Sequence, residues 1–165
     1  MIFVWLMIIA GSVVLDQLTK WLTVINLDLG ESVPVIEGFF NFKYVRNEGA
    51  AFGSFSAPDQ RWIFMSISTI AIILLSIYLW KNRDGSKLLC VALSFIVGGG
   101  IGNMIDRIAY GYVVDMIDFC LFDFWKWIFN VADAFVCVGA GLVMLALVLD
   151  IIKESKKKKE NDENN

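Results

Sequence analysis

The chain is 165 residues long, 58% hydrophobic, and carries six Trp and thirteen Phe, the size of one domain with the composition of a membrane protein. Its formal charge is −3 and its one basic run, Lys156 to Lys159, lies near the C-terminus, so nothing in it points to nucleic acid. It has no histidine, which removes Ser-His-Asp and Cys-His catalysis and His-ligated zinc, and its three scattered cysteines (Cys90, Cys120, Cys137) allow neither a four-cysteine metal site nor a disulfide framework.

Four apolar runs follow in order, each near the roughly 20 residues needed to cross a bilayer. They cover residues 2–25, 62–80, 88–105 and 129–152. The first lacks a basic leader and a small-residue cleavage site, so it reads as a retained span. Residues 1–153 then form one polytopic membrane domain of all-α class with four transmembrane helices. Between the first two runs, residues 26–61 form an outer loop with strand character. Phe39 to Arg46 alternates, placing Phe40, Phe42 and Tyr44 on one face, and Val33 to Ile36 can pair with it through a turn at Glu37-Gly38.

The loop between the second and third runs carries Lys81, Arg83 and Lys87, and the C-terminal end carries Lys153 and Lys156 to Lys159. The positive-inside bias puts both, and so both termini, on the cytoplasmic side. The third run spaces Ser94, Gly98 and Gly102 four apart, a small-residue face that suits helix packing or a substrate groove equally. Residues 107–127 form a second outer loop, with Phe119, Phe122, Phe124, Trp125 and Trp127 reading as an interfacial aromatic belt. Asp118 and Asp123 read as solvated loop acids, and residues 154–165 as a charged, disordered tail in reach of anionic lipid.

The polar residues gather at the outward ends of the spans. Asp16 and Lys20 share a helix face. Asn103, Asp106 and Arg107 fall on one face at the end of the third run. Asn130 and Asp133 open the fourth, Asp115 sits in the second outer loop, and Asn47 and Gly49 approach from the first. Each has an ordinary reading by itself: an interfacial ion pair, a helix cap, an acid at a helix N-terminus. Together they put acids, amides and cations at one depth of the membrane, where acids are costly unless paired or used.

With two acids, Asp115 and Asp133, and no histidine, the chemistry most directly available is aspartic hydrolysis. Two neighbouring carboxylates share one proton, one activating a water while the other polarises a carbonyl. A small carrier or channel, an assembly subunit, and a serine-lysine hydrolase with Lys20 as base and Ser12 as nucleophile are the competing readings. The spacing of Ser12 and Lys20, two helical turns, disfavours the last.

Five blocks of this chain resemble the lipoprotein signal peptidase (signal peptidase II) family, in the family's order: Asp16-Gln17-Leu18-Thr19-Lys20; Asn47-Glu48-Gly49-Ala50-Ala51-Phe52-Gly53; Gly99-Gly100-Ile101-Gly102-Asn103-Met104-Ile105-Asp106-Arg107; Val113-Val114-Asp115; and Phe129-Asn130-Val131-Ala132-Asp133. The resemblance implies four transmembrane helices with a small extracytoplasmic β-cradle between helices 1 and 2, in a multi-pass protein of the bacterial cytoplasmic membrane. It implies an aspartic endopeptidase that cuts prolipoproteins just before a diacylglyceryl-modified cysteine, without metal or cofactor. Asp115 and Asp133 match the catalytic pair. Asn47, Gly49, Asn103, Arg107, Asn130 and Ala132 match residues that shape the site, and Asp16, Lys20 and Asp106 match supporting ones. The implied partners are the prolipoprotein, membrane lipid and globomycin-type inhibitors.

Overall fold

The computed structural model describes residues 2–48, 58–120 and 127–163. Gly49 and the aromatics Phe122, Phe124 and Trp125, together with Asp123, lie outside the described residues. In chain order the elements are α1 (Ile2–Asn26), β1 (Ser32–Ile36), β2 (Phe40–Asn47), α2 (Pro58–Lys81), α3 (Lys87–Ala109), β3 (Val113–Phe119), β4 (Ile128–Phe129) and α4 (Val131–Glu163).

The helices are apolar nearly all the way round, the pattern of segments whose outer surfaces meet lipid. Among the described residues α1, α3 and α4 are long and apolar enough to cross a membrane, while the apolar stretch of α2, Met65–Lys81, is shorter. Phe3, Leu6, Met7, Val14, Leu15 and Leu18 of α1 all stand exposed, as do Met144, Leu147 and Ile151 of α4.

α3 is the hub, packing against α1, α2 and α4. Its small residues are what allow this. A Cβ at Gly98 would lie 2.7 Å from Ser12 Cβ of α1, and one at Gly99 would strike the Ala132 carbonyl of α4. The glycine face predicted from the sequence is thus a packing seam. α3 begins at Ser86, whose Oγ caps the helix by accepting from the Leu89 N–H at 3.4 Å. It ends where Gly111, at φ +86°, turns the chain into β3.

The sheet was expected between the first two helices. It is larger: four antiparallel strands in the order β1-β2-β3-β4, with the second pair supplied by the segment between α3 and α4. The hairpin turn lies where the sequence placed it, with Gly38 at φ +71°. The expected alternation along β2 does not persist. Phe42 faces Ile117 but Val45 faces Asp115, so two β2 residues oppose Met116 alone. This bulge shifts the phase of the strand. Phe40 and Phe42 stay on the side of Asp115, Tyr44 packs with Val114 and Met116, and Asn47 joins the Asp115 side. Without the extra residue Arg46 would occupy that side and Asn47 would turn away.

The C-terminal segment also differs from expectation. α4 continues through the lysine run to Glu163 rather than ending near residue 152. Lys and Glu are good helix formers, and the preceding turns supply the nucleus, so extension needs no packing partner.

Candidate functional site

The polar residues singled out in the sequence meet at the junction of the helices with the sheet. Asp115, in the interior strand β3, is 2% exposed. Its two oxygens are held from opposite sides. Asn130 Nδ2 donates to Oδ1 at 2.6 Å, and Asn47 Nδ2 donates to Oδ2 at 2.9 Å. The bulge in β2 makes the second bond possible.

Asp133 lies in the first turn of α4 and is half-buried. Asn130 caps this helix. Its Oδ1 accepts from the Asp133 N–H at 2.9 Å, and Asp133 Oδ2 accepts from the Asn130 N–H at 3.3 Å, a reciprocal capping box. Asn103 Nδ2 donates to Asp133 Oδ1 at 2.7 Å. The simple reading of Asp133 as an acid at a helix N-terminus is therefore true, and compatible with a chemical role.

Asn130 ties the two positions together, since its amide nitrogen donates to the Asp115 carboxylate while its amide oxygen accepts from the Asp133 peptide N–H. Burial pushes the Asp115 carboxyl up to about 6, against the hydrogen bonds from Asn47 and Asn130 and the charge of Lys20, and the nearby Asp133 charge raises it further. The Arg107 guanidinium lies within electrostatic reach of Asp133, Asp115 and Asp106, and its Nη1 donates to the Asn103 carbonyl at 3.4 Å.

Behind the acids lies a second buried cluster. Lys20 Nζ sits 2.8 Å from Asp16 Oδ2 and 3.2 Å from Asp106 Oδ2, and donates to Asn103 Oδ1 at 2.9 Å. Lys20 is thus saturated by two carboxylates and an amide, and Ser12 Oγ donates to the Ile8 carbonyl. These commitments rule out the serine-lysine reading. Gln17, quoted in the sequence as part of a motif but given no role, is bonded to Asp106 Oδ1 at 2.8 Å, to the Gly102 carbonyl at 3.1 Å and to Asp16 Oδ2 at 3.2 Å. Its position three residues before Lys20 on the same helix face was the available signal.

The family profile described as "Signal peptidase (SPase) II" matches residues 8–149. The chain belongs to the signal peptidase II family. It is 43% identical over 153 residues to the lipoprotein signal peptidase of Clostridium tetani, covering 92% of this chain and 97% of that one. It is 43% identical over 145 residues to the lipoprotein signal peptidase of Bacillus subtilis, covering 88% and 91%. It also resembles a bacterial membrane enzyme solved by the in meso method at 1.9 Å resolution, with TM-score 0.80, 35% identity, and coverage of 89% of this chain and 94% of that chain. As a signal peptidase II family member it is a membrane-embedded protease of the signal-peptide-processing kind, and the exposed apolar helices fit that setting.

Proposed function

We propose that this protein is an aspartic endopeptidase that removes the signal peptide from diacylglyceryl-modified prolipoproteins, cleaving before the lipidated cysteine. The observation that carries the reading is the single Asn130 side chain that holds the Asp115 carboxylate and caps the helix turn bearing Asp133. The Asp133 charge is also felt at the Asp115 carboxyl, as the closeness of two acids at one water requires.

The environments divide the labour. Asp115, buried and raised to about 6, holds the shared proton and donates it to the scissile carbonyl oxygen. Asp133, more open and bonded by Asn103 and the Asn130 N–H, is the base that takes a proton from water. Attack on the carbonyl carbon gives a tetrahedral species with its oxygen protonated by Asp115. Asp133 then passes its acquired proton to the leaving nitrogen as the carbonyl reforms and Asp115 recovers its own. No metal or cofactor enters these steps.

The membrane arrangement follows the charge pattern. We place four spans in the bacterial cytoplasmic membrane, with α2, 24 residues and thus about 36 Å long, as the fourth. Both termini and the Lys81, Arg83 and Lys87 loop face the cytoplasm. The sheet and both acids face outward, where an apolar signal segment lies among the helices, the lipid anchor lies in the bilayer, and the scissile bond reaches the acids. Globomycin-type lipopeptides are expected to compete at this site. The test is cleavage of a diacylglyceryl-modified prolipoprotein by the purified protein in detergent. The product should begin at the lipidated cysteine, the unmodified precursor should be cut poorly, and Asp115→Asn or Asp133→Asn should abolish cleavage. Undiminished cleavage by either variant would overturn the reading.

A further inference from the structure

The buried cluster behind the acids touches the chain at two informative points. Asp16 Oδ1 accepts from the Ala132 N–H at 2.9 Å, and Ala132 immediately precedes Asp133. Asp106 Oδ2 accepts from the Val114 N–H at 3.0 Å, and Val114 immediately precedes Asp115. Each of these supporting carboxylates therefore grips the peptide group just ahead of one proposed catalytic acid, on two different elements. Lys20 and Gln17 each contact both Asp16 and Asp106, so the two grips are fastened to each other.

We propose that Asp16 and Asp106 are positioning residues that fix the separation of Asp133 and Asp115, with Lys20 and Gln17 locking the two carboxylates into one unit. The proposal rests on the assignment of Asp115 and Asp133 as the catalytic pair. β4 and Asn130 already tie the start of α4 to β3, and the two carboxylates add a second tie, from α1 and α3, at the peptide group ahead of each acid. Asp16 and Asp106 are 0% and 1% exposed, so their bonds to peptide N–H groups meet no competition from water. Every oxygen in the unit is used. Asp16 Oδ2 accepts from Lys20 and Gln17 while Oδ1 accepts from Ala132, and Asp106 Oδ1 accepts from Gln17 while Oδ2 accepts from Val114 beside Lys20. Alanine in place of either acid removes its accepting atoms, so the grip on that one peptide N–H must open.

The experiment compares Asp106→Ala, Asp16→Ala and Gln17→Met with wild type, measuring kcat and KM on a diacylglyceryl-modified prolipoprotein. Exchange of the Val114 and Ala132 amide protons is followed by NMR in the same detergent. Asp106→Ala should expose Val114 N–H while Ala132 stays protected, and Asp16→Ala should do the reverse. Both should lower kcat by about tenfold or more, the scale of a misplaced catalytic group, with KM changed by no more than roughly twofold. A purely structural role would lower thermal stability without this paired exchange pattern or the kcat-specific loss. Where an alanine variant does not fold, Gln17→Met, which keeps both carboxylates, should still lower kcat by several-fold at unchanged KM. Wild-type kcat in folded variants, or loss of protection at both amides alike, would overturn the proposal. Asp115→Asn and Asp133→Asn run alongside. If they cleave, the acid-pair assignment itself has failed; if they are dead while the positioning variants run at wild-type rate, only the positioning proposal has failed.

Discussion

Gly102→Ala tests how tightly the site is built. A Cβ at residue 102 would lie 2.5 Å from Asp16 Oδ2, 3.1 Å from Asp16 Cγ and 3.4 Å from Ala132 Cβ. Ordinary contact begins near 3.4 Å, so the Asp16 carboxylate must retreat by about 0.9 Å. It has nowhere easy to go. Oδ2 is held by Lys20 at 2.8 Å and Oδ1 by the Ala132 N–H at 2.9 Å, and retreat strains both. Overpacking of this kind costs roughly 1–3 kcal/mol. The displacement is also passed to Asp133 through Ala132, and misplacement by about 1 Å can cost ~100-fold in rate. The variant should therefore show a lower Tm in detergent and a cleavage rate reduced by one to two orders of magnitude, read as initial rate on a lipid-modified prolipoprotein. An alanine variant with wild-type Tm and rate would refute the close packing of α1, α3 and α4 at this point and the path from Asp16 to Asp133.

Asn130→Ser separates capping from bridging. Serine caps a helix about as well as asparagine, so Tm should stay within a few degrees, but it has no amide to donate to Asp115 and cleavage should fall by ~100-fold; near-normal cleavage would remove the bridge from the mechanism. The raised carboxyl of Asp115 gives a stability signature with a definite sign. Its ordinary value is 3.8 and it stands at about 6 in the fold, so its contribution is fully present below about 4 and is lost as pH rises through about 6. Over that interval wild type should lose on the order of 3 kcal/mol relative to Asp115→Asn, which cannot ionise, as judged by Tm against pH; a difference constant from pH 4 to 7 would contradict the burial argument. Residues 154–162 are exposed throughout, so truncation after Lys153 should leave cleavage rate and Tm of the purified protein unchanged, and a large loss of either would show that the helical extension packs on the catalytic body.

Much of this was legible in the residues. The apolar runs begin within four residues of all four helices and end within four residues of the first three, whereas α4 runs on to Glu163, and helical spacing alone puts Asn103, Asp106 and Arg107 on one face. What the chain conceals is pairing between distant segments. The strand β3 holds a weakly alternating run, Val113 to Phe119, whose acids and aromatics read equally as an interfacial loop, and its register against β2 is a long-range property. The bulge that turns Asn47 toward Asp115 has no Gly signal within it, because the crowded residues are Lys43 and Tyr44. Phe119, read from the sequence as part of a membrane belt, lies between Phe40 and Phe129, at ring distances of 5.1 and 5.9 Å, contacts that only the strand register reveals. The backbone donors Val114 and Ala132 were invisible for a different reason: a peptide N–H carries no residue identity. Disorder was inferred for the tail from charge, yet Lys and Glu also favour helix once a helix has been started by the apolar residues before them.

Asp115 and Asp133 are proposed to act on one water as a single unit, and a double-variant cycle measures this most directly. Cleavage rates of Asp115→Asn, Asp133→Asn and the combined variant are compared under saturating lipid-modified substrate. Groups that work as one unit lose their whole effect when either is removed, so all three variants should fall to a common floor. A single variant that keeps most of the wild-type rate, or two losses that multiply in the combined variant, would contradict a shared catalytic water.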